Sequence, residues 1–284
     1  MTTRLRTWTL IAGLGALFIG LGAVIGGASG LIAFALIAVA FNFAMFWFSD
    51  RIALKLSRAR PLERDHARAV YDDVEELAGR AGIPVPRLYL IPSEQPNAFA
   101  TGRSPKTSAV AVTEGLIGRL PREEVRGVLA HELAHIRNRD VLVTTVAAMI
   151  GAAITAIAHF LQFSWLFGGD DESPLGFVGM FAAILIAPIA AMILQLAVSR
   201  QREFLADATA AELLGEGRPL ASALESLQRG VVAVPMAVNP ATASLYIANP
   251  LSGAGMASMF STHPPIPRRI EKLRERDRSR GVHW

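Results

Sequence analysis

Residues 121–147 read PREEVRGVLAHELAHIRNRDVLVTTVA. Pro121 suits the first turn of a helix, and Glu123 and Glu124 favour the positive end of the helix dipole, so a helix begins here. Val125, Val128, Leu129 and Leu133 then recur at helical spacing, and the stretch runs on into a block without charge. Within it lies His131-Glu132-Leu133-Ala134-His135, the HExxH pattern. A spacing of four places both imidazoles on one face, one turn apart, where two nitrogens can hold one zinc ion. The intervening Glu132 is then placed to handle a water at the metal.

Outward from this helix, the charge pattern divides the chain. It has 284 residues, 52% hydrophobic and 18% charged, against roughly 25% charged in soluble proteins. Residues 7–49, 141–169 and 174–199 contain no Asp, Glu, Lys or Arg, so every charge falls in the remainder. A spanning helix needs about 20 apolar residues to cross roughly 30 Å. The first block is long enough for two, and residues 8–48 are expected to form a hairpin with helices at about 8–26 and 30–48, broken at Gly26-Gly27-Ala28-Ser29-Gly30. Residues 141–198 are expected to form a second hairpin, with helices at about 141–165 and 175–198. All 28 Lys and Arg then lie on one side, which the positive-inside rule makes the cytoplasm. Both termini are expected there, in a multi-pass protein of a bacterial-type cell membrane. Disordered, collagenous and disulfide-stapled classes are excluded by the apolar content, the lack of a glycine period and the absence of Cys, which also removes thiol catalysis. No nucleic-acid motif accompanies the net charge of +4, and the membrane bias explains it better.

Residues 50–140 and 199–284 must join into one cytosolic domain. Residues 62–80 read as a helix stopped between Gly82 and Pro86, followed by β-like runs at Arg87 to Ile91 and Ser108 to Thr113. The fold class expected is mainly α with a small β-sheet: a four-helix transmembrane part and a cytosolic domain that carries the HExxH helix. Substrate would add a strand to an exposed edge, either Ser108 to Thr113 or Asn97 to Arg103, and Asn97 could hold its backbone or make a turn. Residues 232–262, rich in Pro and Gly among apolar residues, read as a packed irregular loop or a lid.

A catalytic zinc needs a third protein ligand and an open position. Glu203 and Asp207 stand four apart in a helical continuation of the last apolar block. One could bind the metal while the other orients a ligand histidine through its second nitrogen. Asp140, five residues after His135, is a further candidate for such support.

Four pieces now form a pattern: Pro96-Asn97-Ala98-Phe99-Ala100; the HExxH segment with Asp140 beyond it; Ser199-Arg200 with Glu203-Phe204 and Ala206-Asp207; and Thr262-His263-Pro264-Pro265 followed by Arg269-Ile270. In this order, with apolar pairs before and after the HExxH helix, the chain resembles the HtpX-type membrane zinc metalloproteases, gluzincins related to the CAAX prenyl proteases. The resemblance implies one Zn²⁺ per subunit on His131, His135 and Glu203, with Glu132 as the catalytic residue, four membrane helices and a cytosolic active site. It also implies that His263 stabilises the transition state, with Arg269 a further candidate there or on the substrate. The expected partners are polypeptide substrates, membrane proteins among them, the lipid bilayer, and other membrane proteases acting alongside.

His135 and Glu203 lie only six and five residues from the apolar blocks. If both helices continued into the spans, each ligand would sit about 8–9 Å from the membrane boundary. That suits quality control and stress response, by cleavage of misfolded membrane proteins and exposed cytosolic segments. A CAAX-type prenyl protease is the nearest enzymatic alternative, and a non-catalytic zinc-binding membrane scaffold is the other.

Overall fold

The computed structural model describes residues 3–147, 200–236, 238, 242–250 and 264–284. The expected spans beyond residue 147 lie outside the described residues, as does His263.

The chain is helical from Thr3 to Leu56 (α1). It is not straight: Gly27 has φ 57°, and a Cβ built on Gly15 would lie 3.4 Å from Asn42 Nδ2. In a straight helix those residues would be about 40 Å apart. The chain therefore reverses near Gly27, where a glycine meets no steric penalty for the left-handed angle. Ile32, Leu36, Val39 and Phe43 form one exposed apolar stripe at helical spacing. Among the described residues, Gly27–Ala44 is the stretch long and apolar enough to cross a membrane, with mean hydropathy 1.9. The helix outlasts the apolar block and carries Asp50, Arg51 and Lys55 before ending, so Ala53 and Leu54 reach the core of the following domain.

That domain is built on a four-stranded sheet. Its strands are β1 (Arg60–Pro61), β2 (Arg87–Ile91), β3 (Ala98–Thr101) and β4 (Ala109–Thr113), in the order β1-β2-β4-β3. β2 and β4 run parallel, and the outer pairs are antiparallel. The Ala-Val-Ala-Val alternation of β4 suggests one wet face, yet every residue of β4 is buried. Val110 and Val112 face the helices, while Ala109 and Ala111 face a second cluster with Phe99, Tyr246 and the end of α1. Ser108 to Thr113 is thus interior, which corrects one of the two expected substrate edges. The edge strands are β1 and β3, and β3 is the other expected substrate edge.

Further helices are α2 (Arg68–Ala81), α3 (Glu114–Arg119), α4 (Arg122–Asn138), α5 (Arg200–Leu214), α6 (Arg218–Ala233) and α7 (Ile266–Ser279). α2 buries Val70, Val74, Leu77 and Ala78 on one face and closes on Gly82 at φ 66°, the usual left-handed end. α4 is the central helix, packed against α2, α5, α6 and β3. Its approach to α6 is close, since a Cβ on Gly127 would stand 2.7 Å from Leu220 N.

α4 does not continue into the apolar block. Arg139 adopts φ 57°, its N–H closing on the helix, and a new helical stretch covers 141–147. The left-handed turn costs a non-glycine residue about 1–2 kcal/mol. It folds Asp140 back toward the helix it has just left. The continuous-helix estimate of the distance from His135 to the membrane therefore does not hold.

Candidate metal centre

Burial on all sides of the middle of α4, residues 127–134, leaves the polar residues there inside the protein. His131 and Glu132 are buried, and His135 is mostly so. Buried polar groups need partners, and α5 supplies two carboxylates to this face, Glu203 and Asp207. Four residues apart, they lie one turn apart on α5, as the two histidines do on α4.

Each imidazole is held from behind. Asp207 Oδ1 lies 3.0 Å from His131 Nδ1, and Asp140 Oδ1 lies 3.1 Å from His135 Nδ1. These carboxylates assign the proton of each ring to Nδ1, which turns both Nε2 lone pairs forward. The two Nε2 atoms are 3.1 Å apart. Lone pairs do not face each other at that distance unless a cation, a proton or a metal ion, lies between them. Glu203 completes the triangle, with Oε2 3.7 Å from His131 Nε2 and Oε1 3.6 Å from His135 Nε2. Ligand atoms of all three residues fall within 4.8 Å of one another. Tetrahedral coordination at about 2.0–2.1 Å requires ligand separations of about 3.3 Å, so these residues fit a zinc ion without large movement.

The charge balance agrees. Glu132, Asp140, Glu203 and Asp207 are all buried here, together with the guanidinium of Arg269. Burial is the largest influence on His131 and holds it down to about 4. Burial also opposes protonation of His135, but Asp140 first, then Glu203 and Glu132, outweigh it and push that imidazole up to about 10. The pocket draws positive charge to His135 Nε2, which faces the triangle's centre.

His131, Glu132, His135 and Glu203 line a cavity of about 20 Å³, together with Ala100 of β3, Val141, Thr144, Ser244, Leu245 and Ile247. About 10–15 Å³ accommodates a water. The cavity has room for a water-sized group and not for a peptide.

The remaining expected site residues fall around this centre. Arg269 is wholly buried behind it, its Nε and Nη2 donating to Asp207 at 2.9 and 2.7 Å. It stands against the carboxylate that orients His131, and its Nη1 donates to the backbone oxygen of Ile247 at 3.4 Å. With Arg269 beside it, the Asp207 carboxyl stays below the usual carboxylate range although burial alone would raise it. Asn97 is buried at the start of β3, and its amide holds backbone, that of Ala248. Thr144, Ser244, Leu245 and Ile247 were not singled out by the sequence. They belong to no motif and reach the cavity only through long-range packing.

Residues 64–277 match peptidase family M48. A Protease HtpX homolog from Pelotomaculum thermopropionicum is 50% identical over 273 residues, covering 95% of this chain and 97% of its own. One from Persephonella marina is 49% identical over 283 residues, covering 98% of each chain. Among solved structures, Ste24p of S. mikatae shares the fold with a TM-score of 0.51 at 21% identity. That match covers 95% of this chain and 65% of the larger Ste24p chain.

Proposed function

The chain belongs to peptidase family M48 and is a metalloprotease; from that premise we propose a membrane-embedded zinc endopeptidase that cuts polypeptides at the cytoplasmic face, misfolded membrane proteins foremost. The observation that carries this reading is the convergence of the two Nε2 lone pairs and the Glu203 carboxylate, with Glu132 beside them in the same cavity. His131, His135 and Glu203 would hold one Zn²⁺, and Asp207 and Asp140 would fix the two ring orientations.

A bound zinc ion supplies Lewis acidity, polarising a carbonyl and lowering the pKa of water toward about 7. The protein's part is proton handling and positioning. Glu132, next to His131 and not one of the three ligands, takes a proton from the attacking water and returns it to the departing amine. The outer edge of β3 offers main-chain groups to an extended substrate, which accounts for broad tolerance of side chains. His263 is proposed as a donor to the developing oxyanion, and Arg269 acts through Asp207 by holding it against His131.

Membrane placement rests on the apolar stripe of α1, the uncharged blocks and the one-sided Lys and Arg. Four spans with both termini cytoplasmic fit these features, and a centre so near them in sequence suits membrane quality control and stress response. Detergent-solubilised protein is expected to cleave casein in a chelator-sensitive way. Glu132→Gln is expected to keep zinc and lose cleavage. Zinc retained with full activity in that variant would remove Glu132 from its role.

A further inference from the structure

The edge of β3 already has an occupant. In the β3–β4 ladder Thr113 N–H donates to Asn97 O at 3.0 Å. With Phe99 opposite Ala111 and Ala100 opposite Val110, antiparallel alternation turns the N–H and C=O of Ala98 and Ala100 outward, away from β4. Ala98 O accepts from Ile247 N–H at 3.0 Å. The Asn97 side chain then forks one residue further along: Nδ2 donates to Ala248 O at 2.7 Å, and Oδ1 accepts from Ala248 N–H at 3.3 Å. This is how an edge strand recognises an added peptide, by main-chain bonds with little reference to side chains.

The same segment is built in on both faces. Ile247 joins the helix-side core that contains Ala98. Tyr246 lies on the opposite side, fully buried, its ring edge-on to Phe99 at 5.1 Å. Ser244, Leu245 and Ile247 wall the metal cavity together with Ala100, the other outward-facing residue of the edge. With the segment in place the cavity is about 20 Å³, too small for a peptide.

We propose that Tyr246–Ala248 is an internal substrate mimic: Ile247 and Ala248 take the Ala98 carbonyl and the Asn97 side-chain amide that a substrate strand needs, and the segment must leave the edge before cleavage. This rests on the endopeptidase reading above and adds what gates it. Substrates are then selected by their ability to compete as extended chain, so unfolded segments enter and folded domains do not. The apparent affinity for a peptide scales with the fraction of molecules whose edge is open.

The chain has no cysteine, so the segment can be tethered by an engineered pair, Ala98→Cys with Ile247→Cys. Their shared core places the two side chains on the same face of the sheet. In a Glu132→Gln background, a fluorescently labelled unfolded casein peptide should bind the reduced pair. Its affinity should fall about tenfold or more on oxidation and return with reductant, as expected when the open fraction is removed. With Glu132 intact, casein cleavage should follow the same switch. Ile247→Pro, which deletes the N–H on Ala98 O, should tighten peptide binding. Equal binding by oxidised and reduced forms, weaker or unchanged binding by a zinc-retaining Ile247→Pro, or failure of the thiols to join in zinc-loaded protein would each overturn the proposal. The binding arm separates the two readings: absence of cleavage with redox-switched binding would fault the endopeptidase assignment and leave the mimic standing.

Discussion

Asp207→Asn removes one negative charge from an ion pair with almost no exposed surface. Asp207 accepts two bonds from Arg269, at 2.9 and 2.7 Å, and stands 3.0 Å from His131 Nδ1. Arg269 has no exposed surface, so the variant leaves a guanidinium inside the protein with Glu203, at 3.9 Å, as its nearest remaining carboxylate. Breaking a buried pair in this way costs about 3–5 kcal/mol. An amide keeps part of the hydrogen bonding, which places the expectation near 3 kcal/mol. In a domain of this size each kcal/mol moves Tm by about 2–4 °C, or roughly 6–12 °C in all. The second effect is on zinc. Loss of the carboxylate behind a ligand histidine weakens metal affinity about 10–100-fold.

The assay is thermal unfolding of detergent-solubilised protein with and without zinc, paired with a competitive zinc titration. Arg269→Met in the same molecule separates the two effects: it removes the stranded charge, so stability should recover by at least half while zinc affinity stays low. Acid provides a further check. The Asp207 carboxyl is held below its ordinary value of 3.8, so its contribution is present above about pH 4 and is lost as pH falls through the folded value. The gap between wild type and Asp207→Asn should close there. Wild-type unfolding and wild-type zinc affinity in Asp207→Asn would refute the arrangement, as would strict additivity of the two substitutions.

Other outcomes follow from the packing. Gly127→Ala drives a methyl to 2.7 Å from the α6 backbone, and should destabilise by about 1–3 kcal/mol, read by thermal unfolding. Arg139→Val puts a β-branched residue at φ 57°; it should cost about 1–2 kcal/mol and weaken zinc binding, because Asp140 loses its approach to His135. Chelation should lower Tm by an amount that rises with the logarithm of the zinc concentration it opposes, since only the folded chain gathers the three ligands.

What the sequence made legible was local. Spacing alone placed His131 and His135 on one face and Glu203 and Asp207 on another, because i and i+4 neighbours follow from helix geometry. It left open which carboxylate faces the metal, a matter of how α5 is rotated against α4. In the structure Glu203 meets the two Nε2 atoms while Asp207 lies behind His131. The left-handed turn at Arg139 carries no glycine to announce it, so the helix seemed to run on. β4 alternates like a half-exposed strand, but its alternation is between two buried faces, and its neighbours are fixed by pairings across the sheet. Asn97 was legible as part of one of the four matching pieces. Its partner Ala248 lies 151 residues away and offers only backbone, which leaves no trace in the side-chain sequence.

The most direct measurement is the zinc content and X-ray absorption spectrum of purified protein beside its Glu203→Ala variant. One zinc per chain, with two imidazole nitrogens and a carboxylate oxygen at about 2.0–2.2 Å, and loss of that oxygen with most of the metal in Glu203→Ala, is the predicted result. Full zinc occupancy with an unchanged spectrum in Glu203→Ala would contradict it.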